Sequence, residues 1–265
     1  MTFDATDKKY LKSEEFLPDK ESSWKYPPEA DGWVHAHNSI RAEMRALIEA
    51  VDAVGGPFKA WQVACIKTAW ESHFTHIHSH HTNEDDIFVP KIKVRFHYPD
   101  KYAADHDTLV VKLDKIAAIV KDLKEGDSNK ALLTELMEYE VMMKPHLQQE
   151  EDECLPLMRA YFTPEDIAPI IQEIIGAGPK IEIGSFIHCM GAETFRNVFM
   201  VQEGIPFFVW YIDFKSRLAL FEKEFVKPLN ALKAGVEPVA ESSMFSYLFM
   251  ALVGVGAGII GMSKN

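Results

Sequence analysis

Two stretches of the sequence share one pattern: HHTNEDDIFVP at residues 80–90 and HLQQEEDECLP at residues 146–156. Each stretch has a histidine, a glutamate four residues later, and a proline six residues after the glutamate. On an α-helix, residues four apart lie on the same face, about 6 Å apart along the axis. Each pair would therefore point an imidazole and a carboxylate in the same direction. The two pairs are His80–Glu84 and His146–Glu150.

One further histidine precedes each pair, and the spacing repeats. His37 and His106 are 69 residues apart, while the histidines of the two pairs are 66 residues apart. This agreement suggests a duplicated helical hairpin, with one histidine on its first helix and His-x3-Glu on its second.

Four segments have apolar residues at three- and four-residue steps, which indicates amphipathic helices. Gly55-Gly56 and Gly126 are expected to end the first and third helices, Pro57 to begin the second, and Pro90 to end it. Short connections favour antiparallel neighbours, so the sequence predicts an all-α, up-down antiparallel four-helix bundle over residues 30–160. The predicted helices are 29–54, 57–90, 101–123 and 127–153.

The rest of the chain is expected to surround this bundle. Residues 1–29 lack a sustained apolar period and are read as an N-terminal arm, and residues 161–238 as a helical extension that packs on the bundle. Met244 to Met262 holds 19 residues without a charge, close to the ~20 that span a bilayer. Residues 241–263 are therefore expected to form a hydrophobic C-terminal helix and a candidate transmembrane tail anchor, with a buried helix as the alternative.

The composition of the chain bears on which partners it binds and on where in the cell it is located. The net charge of −12 disfavours binding to nucleic acid. The three cysteines form no CxxC pair and the N-terminus has no signal-like apolar core, so an intracellular, reducing location is expected. A tail anchor would place the metal-binding domain on the cytosolic side of an internal membrane.

The histidines and glutamates of both hairpins are expected to meet at one end of the bundle. Each histidine lies 18 to 24 residues from the glycine turn of its hairpin, so antiparallel packing brings all four to a similar height. Ionised glutamates in a bundle core must be paired or bound to metal. Six such ligands exceed one tetrahedral zinc site, so two carboxylate-bridged metal ions, most naturally iron, are predicted. The predicted ligands are His37, His80, Glu84, His106, His146 and Glu150.

Two other metal-site patterns are absent from the sequence. No histidine has Glu or Asp three residues before it, which the ferritin-like dimetal proteins require, and no HExxH motif of a zinc protease is present.

The order of these six residues, with an apolar residue and proline closing both pairs, resembles the hemerythrin-like HHE cation-binding domain. The resemblance implies a non-haem diiron centre of two Fe ions, bridged by the glutamates and open to dioxygen or a related small ligand. Oxygen-carrying hemerythrins place His-x3-His on the third helix and an aspartate five residues after the last histidine. Here the residue four after His106 is Val110 rather than histidine, and the acid after His146 is Glu150, four residues later. This difference favours sensing or redox chemistry over oxygen transport.

Several questions stay open at the level of sequence. His76 is a further candidate ligand or outer hydrogen-bond donor, His81 a candidate substitute ligand, and Tyr139 a candidate donor to a bound ligand. The function expected first is binding or sensing of dioxygen or iron. The alternatives are a diiron redox enzyme acting on oxygen, peroxide or nitric oxide, and an iron-responsive interaction protein of unknown partner.

Overall fold

The computed structural model describes residues 3–19, 23–99 and 101–238, and the regular secondary structure in these ranges is helical. Within these ranges there is no β-strand, only two isolated bridges between single residues. The all-α prediction is confirmed. The four bundle helices are α1 (Gly32–Ala53), α2 (Ala60–Thr82), α3 (Lys101–Asp122) and α4 (Lys130–Gln149).

The four helices form a closed ring in which each packs on its two neighbours. α1 packs against α2 and α4, and α3 packs against the same two helices. The interior is a continuous apolar core, because each helix buries the stripe that its three- and four-residue spacing creates. Buried members of this core include Ile40, Met44, Leu47, Ile66, Ile77, Leu109, Leu113, Leu136, Met143 and Leu147. Gly55 has φ of +66°, a conformation that glycine adopts without strain and that turns the chain after α1.

Pro57 does not begin α2, contrary to the prediction. The helix starts at Ala60 because the residues before it pair with the opposite turn of the bundle. The Phe58 N–H donates to the Asp127 carbonyl at 2.9 Å, and the Gly126 N–H donates to the Phe58 carbonyl at 2.8 Å. These bonds tie the two hairpin turns together.

The second helix does not stop at Pro90, so this prediction was also wrong, and the fourth helix runs past its predicted end at residue 153. α2 continues through a π-helical segment, Asn83–Phe88, into Val89–Ile92. α4 continues in the same way through Glu150–Cys154 into Leu155–Tyr161. In both cases the proline stands at the start of the final α-helical stretch, where its missing N–H costs least.

The remaining helices cover the face of the bundle that α1 and α2 form. Their ranges are α5 (Pro164–Ala177), α6 (Lys180–Met190), α7 (Ala192–Thr194, Phe195–Phe199 and Met200–Gln202) and α8 (Trp210–Phe214, Lys215–Phe221, Glu222–Val226 and Lys227–Ala234). α6 packs on both helices, and the second half of α8 places Phe221, Phe225, Leu229 and Leu232 in the bundle core.

The N-terminal residues lie against the end of the bundle that carries the prolines. Phe3, Leu11 and Phe16 pack on a second apolar core around Phe96 and the end of α4. The Trp24 indole N–H donates to the carbonyls of Arg159 and Phe162, at 3.1 and 2.9 Å. The N-terminal arm thus closes the base of the molecule.

The predicted hydrophobic C-terminal helix and membrane anchor, residues 241–263, lie outside the described residues. Among the residues that are described, none of the helices combines the length and apolar character needed to cross a membrane.

Candidate metal centre

The six predicted ligands converge in one buried layer between the bundle core and the proline-bearing end. α1 supplies His37, α3 supplies His106, and the other four come from α2, α4 and their π-helical continuations. All six side chains are buried. The internal duplication therefore places its two halves around a common centre.

Glu84 faces histidines from both hairpins. Its Oε1 lies 3.4 Å from His80 Nε2 and 3.8 Å from His37 Nε2. Its Oε2 lies 3.5 Å from His106 Nε2. One carboxylate thus spans the two halves of the centre.

Glu150 occupies the equivalent position in the second repeat. Its Oε2 is 3.5 Å from the Nε2 atoms of both His37 and His146, and its Oε1 is 3.7 Å from His106 Nε2. Both glutamates therefore lie close to histidines of both hairpins, near enough to share a bound cation with them.

The polar atoms of this layer suit bound cations better than mutual hydrogen bonds. Most nitrogen–oxygen separations of 3.4 to 3.8 Å are too long for good hydrogen bonds. They suit atoms that share an ion about 2.0–2.2 Å from each. Within the described ranges no Lys or Arg pairs with either glutamate. The buried atoms without a partner among the described residues include Nε2 of His37, His80, His106 and His146, Oε2 of Glu84, and both carboxylate oxygens of Glu150.

His81 joins the layer as a seventh member. Its ring stacks on that of His106, with centroids 4.4 Å apart, and neither of its nitrogens has a partner among the described residues. His81 also lies close enough to His106 and His146 for the three to hold one ion. The other ligand-spaced groups are His37 with His80 and Glu84, and Glu84 with His106 and Glu150.

Comparison with known protein families agrees with this geometry. Residues 29–158 match the family model described as the Hemerythrin HHE cation binding domain. This segment is a hemerythrin HHE domain. Comparisons with curated proteins and with solved structures found no match. The HHE family binds metal cations, typically iron, and the His/Glu groups of this chain are spaced to hold a metal ion.

Two outer carboxylates orient histidines of the HHE domain in a crosswise arrangement. His37 Nδ1, on the first hairpin, donates to Glu151 Oε1 at 3.0 Å, on the second. His106 Nδ1, on the second hairpin, donates to Asp85 Oδ1 at 3.0 Å, on the first. A proton on Nδ1 leaves Nε2 free to bind a metal. Sequence reasoning missed both acids, although each directly follows the glutamate of its repeat.

Trp33 also acts on the centre and was not predicted. Its indole N–H donates to Glu84 Oε1 at 2.8 Å, and its ring lies edge-on to His37. The sequence offered no signal for it, because Trp33 lies outside the repeated pattern. This bond fixes the direction in which the Glu84 carboxylate points.

Burial and the two glutamates shift the ionisation of the centre. Burial lowers the pKa of His80 to about 3 and that of His146 to about 4. Burial would also lower the pKa of His37, but the nearby carboxylates of Glu151 and Glu84 outweigh this and raise it to about 9. Burial and the charge of Glu84 raise the pKa of Glu150 to about 7. The metal-free HHE domain therefore holds protons and unfavourable buried charge where cations would bind.

His76 and Tyr139 belong to a separate buried cluster deeper in the bundle. Glu43 accepts from His76 Nδ1 at 2.8 Å, from His73 Nδ1 at 2.5 Å and from the Ser185 hydroxyl. Tyr139 is hydrogen-bonded to His73 Nε2 at 3.2 Å. Tyr139 thus has a partner inside the core, and the position of His76 is set by Glu43 rather than by the metal layer.

A cavity of about 360 Å³ lies beside the centre, between α1, α2, the arm and helices α5 to α8. His80 and Glu84 are among its lining residues, together with His76, Asn83 and Glu182. Helices α5 to α8 lie outside the matched HHE segment, so the resemblance to the HHE family did not predict this cavity. The extension therefore forms part of the wall of a cavity that reaches the metal layer from one side.

Proposed function

We propose that the HHE domain holds a non-haem diiron centre that binds dioxygen or a related small ligand for sensing or redox chemistry. The observation that carries this proposal is the pair of buried glutamates, each facing histidines from both hairpins. The proposed ligands of one ion are His37 and His80, and those of the other are His81, His106 and His146. Glu84 and Glu150 are proposed to be ligands of both ions.

The proposed ligand sets are unequal, and this difference points to where a small ligand would bind. The ion near His37 and His80 has one imidazole fewer than its neighbour. His80 and Glu84 also line the cavity, so this side of the centre can be reached. Iron, when bound, supplies redox chemistry and coordination positions that the protein leaves free. The buried side chains exclude bulk water, and the Nδ1 bonds of His37 and His106 to Glu151 and Asp85 point the Nε2 atoms of these two histidines toward the proposed ions.

The cavity favours a redox enzyme as the second candidate. A centre that only sensed a diatomic gas would need much less space than about 360 Å³. The volume lies within the range of small-molecule sites. Turnover of an organic substrate together with dioxygen or peroxide would distinguish this candidate from a sensor.

The metal content of the purified protein tests the first proposal. After reconstitution with ferrous iron and removal of excess metal, about two irons per chain are expected. His80→Ala and His146→Ala should each lose at least half of this iron, because each removes an imidazole that nothing else replaces. His78→Ala, on the exposed side of α2, is the matched control and should keep its iron. Full retention of iron by both ligand variants would contradict the assignment.

The response to azide tests whether a small ligand reaches the centre. Near-ultraviolet and visible absorption bands of the ferric protein should shift on addition of azide. A spectrum insensitive to azide and to dioxygen would indicate a closed, structural metal site.

A further inference from the structure

We infer that the cavity beside the metal layer is a binding site for an uncharged, largely apolar molecule that carries one hydroxyl group. This inference deepens the proposed function, because the molecule would lie next to His80 and Glu84. A role for this molecule as a substrate rests on the proposed diiron centre. Its binding depends only on the cavity walls, so binding can be measured without metal.

The walls of the cavity are mostly apolar. α5 contributes a row of isoleucines at helical spacing, and α6 and α7 contribute phenylalanines. Small-molecule sites typically combine such walls with a few polar groups. The main apolar lining residues are Ile167, Ile171, Ile174, Phe186, Phe195 and Phe199.

Apart from the proposed metal ligands His80 and Glu84, one lining residue of the cavity, His76, has a buried polar atom without a partner among the described residues. His76 is 1 % exposed, and its Nδ1 is bonded to Glu43. Its Nε2 has no partner among the described residues. A buried polar atom of this kind costs about 1–3 kcal/mol unless it is hydrogen-bonded. A hydroxyl group both donates and accepts, so it pairs with this nitrogen whether or not the nitrogen carries a proton.

The neighbouring carboxyl group of Glu182 is already hydrogen-bonded. It accepts from the Ser79 hydroxyl at 2.7 Å and from the Asn83 amide at 3.3 Å. The head group of the bound molecule therefore meets His76 as its open partner. An ammonium group can only donate, which matches an imidazole less well than a hydroxyl does.

The charges around the cavity exclude anionic ligands. Within the described residues, no Lys or Arg lines the cavity, whereas several acidic residues do. A carboxylate or phosphate would lose its hydration and gain no cationic partner. The acidic lining residues are Asp31, Glu84, Glu165, Glu182 and Glu203.

Intrinsic tryptophan fluorescence of the full-length protein tests the inference, since Trp24 and Trp33 both line the cavity. The probes are decan-1-ol, decanoate and decylamine, which share one chain and differ in head group. Saturable binding of decan-1-ol is expected in metal-free and iron-loaded protein, with decanoate and decylamine at least about tenfold weaker. Absence of saturable decan-1-ol binding, or equal or tighter binding of a charged probe, would overturn the inference.

Two variants locate the bound probe. Ala168→Phe fills the cavity from α5 and should weaken decan-1-ol binding at least about tenfold, whereas Ala118→Phe, exposed on α3, should not. His76→Leu should weaken it about tenfold, with folding checked by thermal melting. Undiminished decan-1-ol binding by Ala168→Phe would overturn the inference. If His76→Leu does not fold, the comparison of Ala168→Phe with Ala118→Phe tests the inference. Iron content measured on the same samples keeps a failure of the metal proposal separate from a failure of this one.

Discussion

Glu151 and Asp85 each hold a histidine that the opposite hairpin supplies. This crosswise pairing makes the two hairpins depend on each other, because neither repeat can orient its own first histidine. Outer carboxylates of this kind fix the tautomer of a metal-binding imidazole and raise its basicity. The orientation of the centre therefore depends on both hairpins together rather than on either one alone.

Removing either outer carboxylate should weaken metal binding without emptying the site. Glu151→Gln and Asp85→Asn are expected to lower iron affinity about 10- to 100-fold, measured by competition with a chelator. Asp152→Asn and Asp86→Asn are matched controls, since both side chains are exposed and neither contacts a proposed ligand. Equal affinity in the variants and controls would show that the crosswise bonds do not tune the centre.

Glu43 should make the fold sensitive to acid. Burial opposes its charge, but His76 and His73 outweigh burial and lower the pKa of Glu43 from 4.5 to about 2. A carboxyl group with a lowered folded-state pKa contributes stability above its unfolded pKa and loses it as the pH falls toward the folded value. Between pH 5 and pH 3, this loss is about 2 kcal/mol of unfolding free energy.

Urea unfolding at these two pH values measures this contribution. The pH-dependent loss should be about 2 kcal/mol smaller in Glu43→Gln than in the unmodified protein. Asp52→Asn, an exposed acid on the same helix, should leave the loss unchanged. If Glu43→Gln keeps the full pH dependence, then the Glu43 cluster is not the source of acid sensitivity.

At the scale of single residues, the repeated motif was enough to predict the six side chains that meet. Their types, spacing and order carry the chemistry of the site directly. The bond from Trp33 to Glu84 was not predicted, because it depends on how α1 is rotated about its axis, which spacing along one helix does not determine. His81 was only a candidate ligand, because its stacking on His106 depends on the same kind of rotation. The Glu43 cluster was missed for the same reason, because its members come from α1, α2, α4 and α6.

At the scale of helices, the sequence predicted the bundle but not how its helices end. A proline normally removes a hydrogen bond and clashes with the carbonyl four residues earlier, so a stop at Pro90 was expected. Instead the Val89 N–H reaches back five residues to the Glu84 carbonyl, and the Leu155 N–H does the same to Glu150. In both repeats the widened turn lies between the glutamate and its proline. π-Helical turns are often found at functional sites.

The contact between α6 and α8 depends on a missing side chain. A Cβ added at Gly184 would meet the backbone carbonyl of Arg217 and lie 2.8 Å from Phe221 Cβ. Gly184→Ala should therefore lower the unfolding free energy by about 1–3 kcal/mol, since the backbone has to shift. Gly176→Ala is the matched control on α5, where a Cβ meets nothing within 4 Å, and it should be neutral or slightly stabilising. If Gly184→Ala and Gly176→Ala are equally stable in denaturant, then α6 and α8 do not pack closely at Gly184.

At the scale of the whole molecule, the metal layer joins two apolar cores. The bundle core lies on one side and the core of the proline-bearing end on the other. Without cations, this layer places two buried carboxyl groups next to each other, and the fold bears the cost of their desolvation. Metal binding and folding should therefore be coupled, because an ion that binds only the folded chain stabilises it.

The Glu150→Gln variant separates the cost of the buried charge in the metal-free protein from the stabilisation that iron provides. It keeps the shape of the side chain and removes one of two facing charges, so the metal-free variant should be more stable than the metal-free parent by about 1–3 kcal/mol at pH 7.5. Iron should then stabilise the variant far less than it stabilises the parent, which should gain about 4 kcal/mol at a thousandfold excess over its Kd. Thermal and urea unfolding, each with and without iron, measure both effects. A variant that is less stable without iron, yet equally stabilised by it, would show that Glu150 supports the fold rather than the metal.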